Sequence, residues 1–283
     1  MSRILFKPSP PVLAISLKLY FSPSRTQTYL SSLVSLVSSH PSFPGQLIYI
    51  PDFLNLQSCA SKHPTSTSRI HYGAQDGHWE DEGAWTGEVS MRSLREVGCA
   101  VVELGHAERR RHFGETNEVV AKKCAAAVRN GLVPLLCIGE LEQASLEESV
   151  QFLKTQLVDV FSTVSPSENL ILAYEPVWAI GQPKPAPTSH IVDIGLALRQ
   201  YLKEEGRGDT VKMLYGGSAG PGLWKEIGRA VDGMFLGRFA HVVRNVEVVM
   251  GEMEEGVEEG GRGGDVSSQR SLISMDVTDM RCY

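Results

Sequence analysis

The sequence predicts an α/β fold, a single closed barrel of eight βα units, and three observations lead there. A chain of 283 residues that is 42% hydrophobic can bury one large core, and a single barrel of this kind commonly takes about 250 residues. From Pro11 onward, short β-rich runs alternate with longer segments of helical periodicity, the pattern of repeated parallel βα units. The β-rich runs number eight, and most are apolar nearly throughout, as strands buried on both faces must be.

In order, the strand candidates are Val12 to Leu17, Leu47 to Ile50, a weak one at Ile70 to Ala74, Ala100 to Leu104, Val133 to Ile138, Leu170 to Tyr174, Val211 to Tyr215 and Asp232 to Leu236. Helical candidates between them include Arg25 to Ser38, Asn117 to Asn130, Ser145 to Phe161 and Ser189 to Glu204, with Gly131 and Gly206 as C-terminal stops. An open doubly wound sheet also alternates strand and helix, but no glycine-rich dinucleotide fingerprint follows the first strand, where the chain reads Lys18-Leu-Tyr-Phe. Eight units favour closure.

The domain reading is an N-terminal extension over 1–10, a catalytic barrel over 11–250 and a Gly/Glu-rich acidic tail over 251–283, expected to be disordered because it holds little apolar material to bury. A net charge of -6 without Lys/Arg clusters argues against nucleic acid as a partner. Five scattered cysteines without a CxxC pair suggest neither a disulfide framework nor zinc. No metal or other cofactor is expected. Prolines interrupt the N-terminus before any signal-length apolar run, and no span suits a membrane, so the expectation is a soluble cytoplasmic protein.

Barrels of this class build their active sites at the C-terminal ends of the strands. Those ends supply Lys18, the segment Gly105-His106-Ala107-Glu108-Arg109, Glu175-Pro176, Gly216-Gly217-Ser218 and Gly237-Arg238. Burial at the rim would raise Glu175 toward the range of a general base. His106 opens a polar segment whose amides would keep its ring neutral, still able to donate to a carbonyl oxygen. The glycines after the seventh and eighth strands would let amides approach an anion, at the usual phosphate face. Beyond Glu175, PVWAIGQPKPAP reads as a lid with stiff hinges.

The motifs GAWTGEVS, ELGHAERRRHFGETNE, LCIGE, AYEPVWAIG and LYGGS together closely resemble the triosephosphate isomerase family, whose fold is the TIM barrel. The resemblance implies a catalytic Glu175, an electrophilic His106, and Lys18 and Glu108 beside them. It also implies a substrate and phosphate site at Ser16, Gly181, Ser218, Gly237 and Arg238, and a lid with an apolar clamp at Pro176, Ile180 and Phe235. The expected reaction is enediolate proton transfer between dihydroxyacetone phosphate and glyceraldehyde 3-phosphate, in a glycolytic and gluconeogenic setting. That chemistry is a worked case of the general scheme in which a glutamate base acts with a neutral histidine. The family's dimers further imply homodimerisation through a loop like Gln75 to Glu88, with Thr86 at its tip.

Several positions depart from the family pattern. Its asparagine is Ser16 and the next tryptophan is Leu17; the serine after the histidine is Ala107; the lid's GTGK reads Gly181-Gln182-Pro183-Lys184; the second glycine after strand eight is Arg238. Arg238 has two readings, a guanidinium on the phosphate or a side chain pointing outward. Isomerases of four-carbon erythrulose phosphate are similar in the SLKLYF and LGRFAH stretches, so a tetrulose phosphate is the alternative substrate. A non-catalytic phosphometabolite-binding barrel is the alternative of another class. A Schiff-base aldolase is disfavoured because the sixth strand ends in glutamate, and a metal-dependent isomerase because His63, His71 and His78 lack ligand spacing.

Overall fold

The structure is a computed structural model that describes residues 4, 6 and 10–262. Eight parallel strands close into a barrel in sequence order: β1 (Val12–Ser16), β2 (Gln46–Ile50), β3 (Ile70–Ala74), β4 (Val101–Leu104), β5 (Val133–Ile138), β6 (Leu170–Tyr174), β7 (Val211–Tyr215) and β8 (Gly233–Leu236). Each lies within a residue of its expected span. Closure brings β8 against β1 so tightly that a Cβ on Gly233 would stand 1.9 Å from the Val12 carbonyl oxygen, which only glycine avoids.

Among the described residues nine α-helices connect these strands, α1 (Pro23–Ser39), α2 (Phe53–Lys62), α3 (Thr65–Ser68), α4 (Met91–Glu96), α5 (Ala107–Phe113), α6 (Asn117–Arg129), α7 (Leu146–Thr163), α8 (Thr188–Glu204) and α9 (Trp224–Ile227), and a tenth, α10 (Val243–Arg262), follows β8. Side-chain caps start several of them. Ser22, Asp52, Ser90, Thr116 and Ser145 each accept an amide hydrogen bond from the first turn, and Glu148 completes a capping box with Ser145. Gly131 and Gly206 sit just past helix ends at φ 71° and 70°, the left-handed conformation that suits glycine.

Alternation along the strands produces two cores. Val12, Ala14, Ile48, Ile50, Leu135 and Ile171 pack inside the barrel, while Leu13, Ile15, Tyr49 and Leu172 face outward against the helices. Ile4 and Phe6 belong to the interior cluster, and Lys212 Nζ donates to the Pro10 carbonyl at 2.8 Å. The segment read as an N-terminal extension therefore contributes part of the barrel's packing.

The domain boundary expected at residue 250 is also corrected. Helix α10 runs on to Arg262, because Val246, Val249, Met250 and Met253 recur at helical spacing and are all fully buried despite the Gly/Glu-rich composition around them. The rest of the expected tail, 263–283, lies outside the described residues. Substituting Met253→Ala should cost about 2–4 kcal/mol of stability and lower the thermal midpoint by several degrees. An unchanged midpoint would return residue 253 to a solvated tail.

Candidate active site

The polar side chains delivered by the strand ends meet in one cavity of about 650 Å³ at the C-terminal mouth of the barrel. Lys18, two residues beyond β1, adopts φ 49°, a left-handed conformation that costs a non-glycine residue about 1 kcal/mol or more. The turn is held by Gln75, whose side-chain amide donates to the Lys18 carbonyl at 3.0 Å. Lys18 Nζ then reaches Glu108 Oε1 at 2.6 Å. Burial works against its charge, but that hydrogen bond and the Glu175 carboxylate outweigh burial and hold its pKa above the ordinary lysine value.

His106 caps α5, and the amide of Glu108 donates to its Nδ1 at 3.1 Å. Its Nε2 faces Glu175 Oε2 at 3.5 Å, and both side chains are buried. Burial lowers the proton affinity of the imidazole, while Glu175 and Glu103 more than offset that and push its pKa upward. The hydrogen bond decides the proton's place: the Glu108 amide occupies the single lone pair of Nδ1, so the ring is neutral with its proton on Nε2. The amide contact is the one the sequence leads one to expect, but the lowered pKa expected with it is corrected, because Glu175 and Glu103 raise the proton affinity of the ring.

For Glu175 the sequence expectation of a raised pKa is corrected. Burial does raise it, but His106 and Lys18 outweigh burial and leave it below the ordinary glutamate value. The carboxylate is therefore ionised at neutral pH and ready to accept a proton. Its Oε1 is buried without a hydrogen-bond partner.

Two glycines make room for this side chain and its backbone. A Cβ on Gly216 would lie 2.5 Å from Glu175 Cγ, and one on Gly139 would lie 1.8 Å from the Glu175 carbonyl oxygen. Gly216, expected to serve an anion, is thus required by the carboxylate beside it. At Gly237 nothing lies within 4 Å of an added Cβ, so close packing does not demand glycine there.

The lid is fastened at both hinges and across its middle. At the first hinge Glu140 Oε1 accepts from Tyr174 Oη at 3.0 Å and Trp178 Nε1 at 2.9 Å, and at the second Ala186 N donates to Tyr215 Oη at 3.2 Å. Between them Ser218 Oγ lies 2.9 Å from the Ala179 carbonyl and 3.1 Å from that of Gln182, and Arg238 Nη2 donates to the Gly181 carbonyl at 3.2 Å. Arg238 therefore points over the lid, and together with Gly181, Ser218 and Gly237 it lines the cavity wall expected to hold phosphate. Ile180 and Phe235 line the same cavity.

Of the residues singled out from sequence, Ser16, Lys18, His106, Glu108 and Glu175 also line this cavity, while Pro176 precedes the short helix Val177–Ala179 at the lid's first hinge. Thr86 stands apart. It is exposed on a loop braced by stacking of His78 on Trp79 and contact of His78 with Trp85. Among the described residues no cluster of three or more His, Cys, Asp or Glu could hold a metal ion.

One residue escaped the sequence reading. Glu103, inside the apolar run of β4, points into the barrel beneath His106 and accepts a 2.8 Å hydrogen bond from Ser16 Oγ. Burial, reinforced by Glu175 and opposed by His106, Ser16 and Lys18, raises its pKa to about 7. A charged residue at an inward position of an otherwise apolar strand was the available signal.

The model of the family described as triosephosphate isomerase matches residues 11–253. The chain is 44% identical over 246 residues to an L-erythrulose-1-phosphate isomerase of Pectobacterium atrosepticum, covering 85% of this chain and 94% of that protein. It is 44% identical over 202 residues to a protein of the same name from Rhizobium rhizogenes (69% of this chain, 76% of that one). With the Brucella abortus protein of that name it shares 40% over 201 residues, 69% of this chain and 78% of that protein.

Crowding around Glu175 yields a direct test. Gly216→Ala should displace the carboxylate and cut turnover by about 100-fold or more while the barrel still folds. Wild-type turnover in that variant would show that the space beside Glu175 is not needed.

Proposed function

The chain belongs to the triosephosphate isomerase family, and from that premise we propose that it isomerises a four-carbon ketose phosphate, L-erythrulose 1-phosphate, by enediolate proton transfer. The observation that carries the reaction is the buried Glu175 carboxylate facing Nε2 of His106 in one cavity, with the His106 Nδ1 taken up by the Glu108 amide. The four-carbon substrate is supported by the name borne by relatives up to 44% identical, and it takes precedence over the triose phosphate first expected.

In this substrate the phosphate is on C1, the carbonyl on C2 and hydroxyls on C3 and C4. With the phosphate against Gly181, Ser218, Gly237 and Arg238, Glu175 removes the proton from C3. The C3–H electron pair forms the C2–C3 double bond, and O2 becomes an oxyanion. His106 Nε2–H and the Lys18 ammonium stabilise that charge by groups already in place. Return of the proton to C2, with the O3 proton passed to O2, moves the carbonyl to C3. The product is again a ketose phosphate. Glu108 acts by fixing Lys18 and, through its amide, the His106 tautomer. Closing the lid, which brings Ile180 over the cavity that Phe235 also lines, keeps water from an enediolate that would otherwise expel phosphate.

Homodimerisation through the loop 75–88 belongs to the same proposal, supported by the exposure of Trp85 and Thr86. A cytoplasmic setting is likewise proposed; among the described residues no helix is long and apolar enough to cross a membrane.

Assayed side by side, L-erythrulose 1-phosphate should give a kcat/KM at least about tenfold above that of dihydroxyacetone phosphate. The reverse preference would restore the triose reading, and turnover of neither would favour a barrel that binds phosphometabolites without catalysis.

A further inference from the structure

The interior of the barrel holds a second polar group close to the reaction site that the proton-transfer scheme leaves without a task. Glu103 is 3% exposed, sits on β4 three residues before His106, and is joined to Ser16 at the end of β1 by the 2.8 Å hydrogen bond. It lines a side cavity of about 410 Å³, which shares Ser16, Lys18, Tyr20, His106 and Glu108 with the main cavity. The two spaces adjoin along that row of residues.

A carboxyl group in an apolar barrel is costly unless it hydrogen-bonds, and a larger apolar side chain would fill the place without that cost. The position of the cost suggests its return. The wall assigned to the phosphate, Gly181, Ser218, Gly237 and Arg238, borders only the main cavity, whereas Ser16 and His106 border both it and the smaller one. A carbon attached beyond the reacting bond, on the side away from the phosphate, therefore extends past His106 toward Ser16 and Glu103.

We propose that Glu103 and Ser16 form a specificity pair that hydrogen-bonds the hydroxyl of the carbon beyond the isomerising bond, the C4 hydroxyl of a tetrulose phosphate. The inference rests on the four-carbon reading above and assigns its discrimination to particular atoms. With Ser16 Oγ donating to Oε2, the other carboxyl oxygen is left to pair with the substrate. A proton affinity raised to about 7 lets the carboxyl accept from that hydroxyl when ionised and donate to it when protonated. A three-carbon substrate lacks this hydroxyl and leaves the pair unanswered, which is how a buried polar site disfavours the smaller molecule.

The test compares wild type, Glu103→Leu, Glu103→Gln and Ser16→Ala, measuring kcat/KM on L-erythrulose 1-phosphate and on dihydroxyacetone phosphate for each. The readout is the ratio of the two constants. Glu103→Leu should lower the tetrulose-to-triose ratio by about 10- to 100-fold, and Ser16→Ala should lower it by a smaller factor of at least about three. Glu103→Gln keeps a donor and an acceptor of the same size, so its ratio should stay within about threefold of wild type.

A ratio that holds in Glu103→Leu, whether both constants fall together or neither moves, overturns the proposal. In the first case Glu103 would act only through His106 and Glu175. Should the leucine variant fail to fold, an unchanged ratio in Ser16→Ala overturns it instead. Wild-type protein that does not turn over the tetrulose phosphate would defeat the four-carbon reading itself. That result is distinct from a wild type that prefers four carbons and a variant that keeps the preference.

Discussion

A closed ring of eight strands sends every second side chain into an interior that only side chains can fill, and that alternation governs the rest of this molecule. Lower in the barrel the demand is met by Ile4, Phe6, Val12, Ile48 and Leu135. Toward the mouth the same alternation places Ser16, Glu103 and Glu175 inward, where water is excluded and each polar atom needs a partner. The active-site electrostatics follow from this. Glu103 answers Ser16, and Glu175 answers His106.

Two buried carboxyl groups in one barrel end are driven to different protonation behaviour by their surroundings. Glu175 faces Nε2 of a histidine and lies within reach of the Lys18 charge, so it stays ionised despite its burial. Glu103 has a hydroxyl as its hydrogen-bond partner and is pushed upward by burial and by Glu175. A base and a hydrogen-bonding group are thereby separated by environment alone, as general principles for paired carboxylates lead one to expect. The backbone contributes as much as the charges do: the Glu108 amide fixes the His106 tautomer, and the absence of a side chain at Gly216 leaves Glu175 its place.

Strands were legible in the sequence because each is a short apolar run bounded by turn residues, and β3, weakest by hydrophobicity, still appears at Ile70–Ala74. Helix α10 was not. Its glycine and glutamate content resembles a solvated tail, and only the spacing of Val246, Val249, Met250 and Met253 reveals the buried stripe. Lys18, His106 and Glu175 could be found because barrel chemistry gathers at strand ends. Glu103 lies within a strand, where an apolar context hides a single inward charge. Gly216 could be seen as a glycine but not assigned to Glu175, since that contact joins β6 to β7 across the sheet.

The central claim is that Glu175 carries a proton between adjacent carbons of a ketose phosphate through an enediolate that exchanges with solvent. Running the reaction on L-erythrulose 1-phosphate in D2O and reading the product by NMR addresses it most directly. The account predicts deuterium at the carbon that gains the proton, with turnover falling by about 1,000-fold or more in Glu175→Gln. Product formed with no solvent deuterium at any carbon, or formed equally fast by Glu175→Gln, would contradict it.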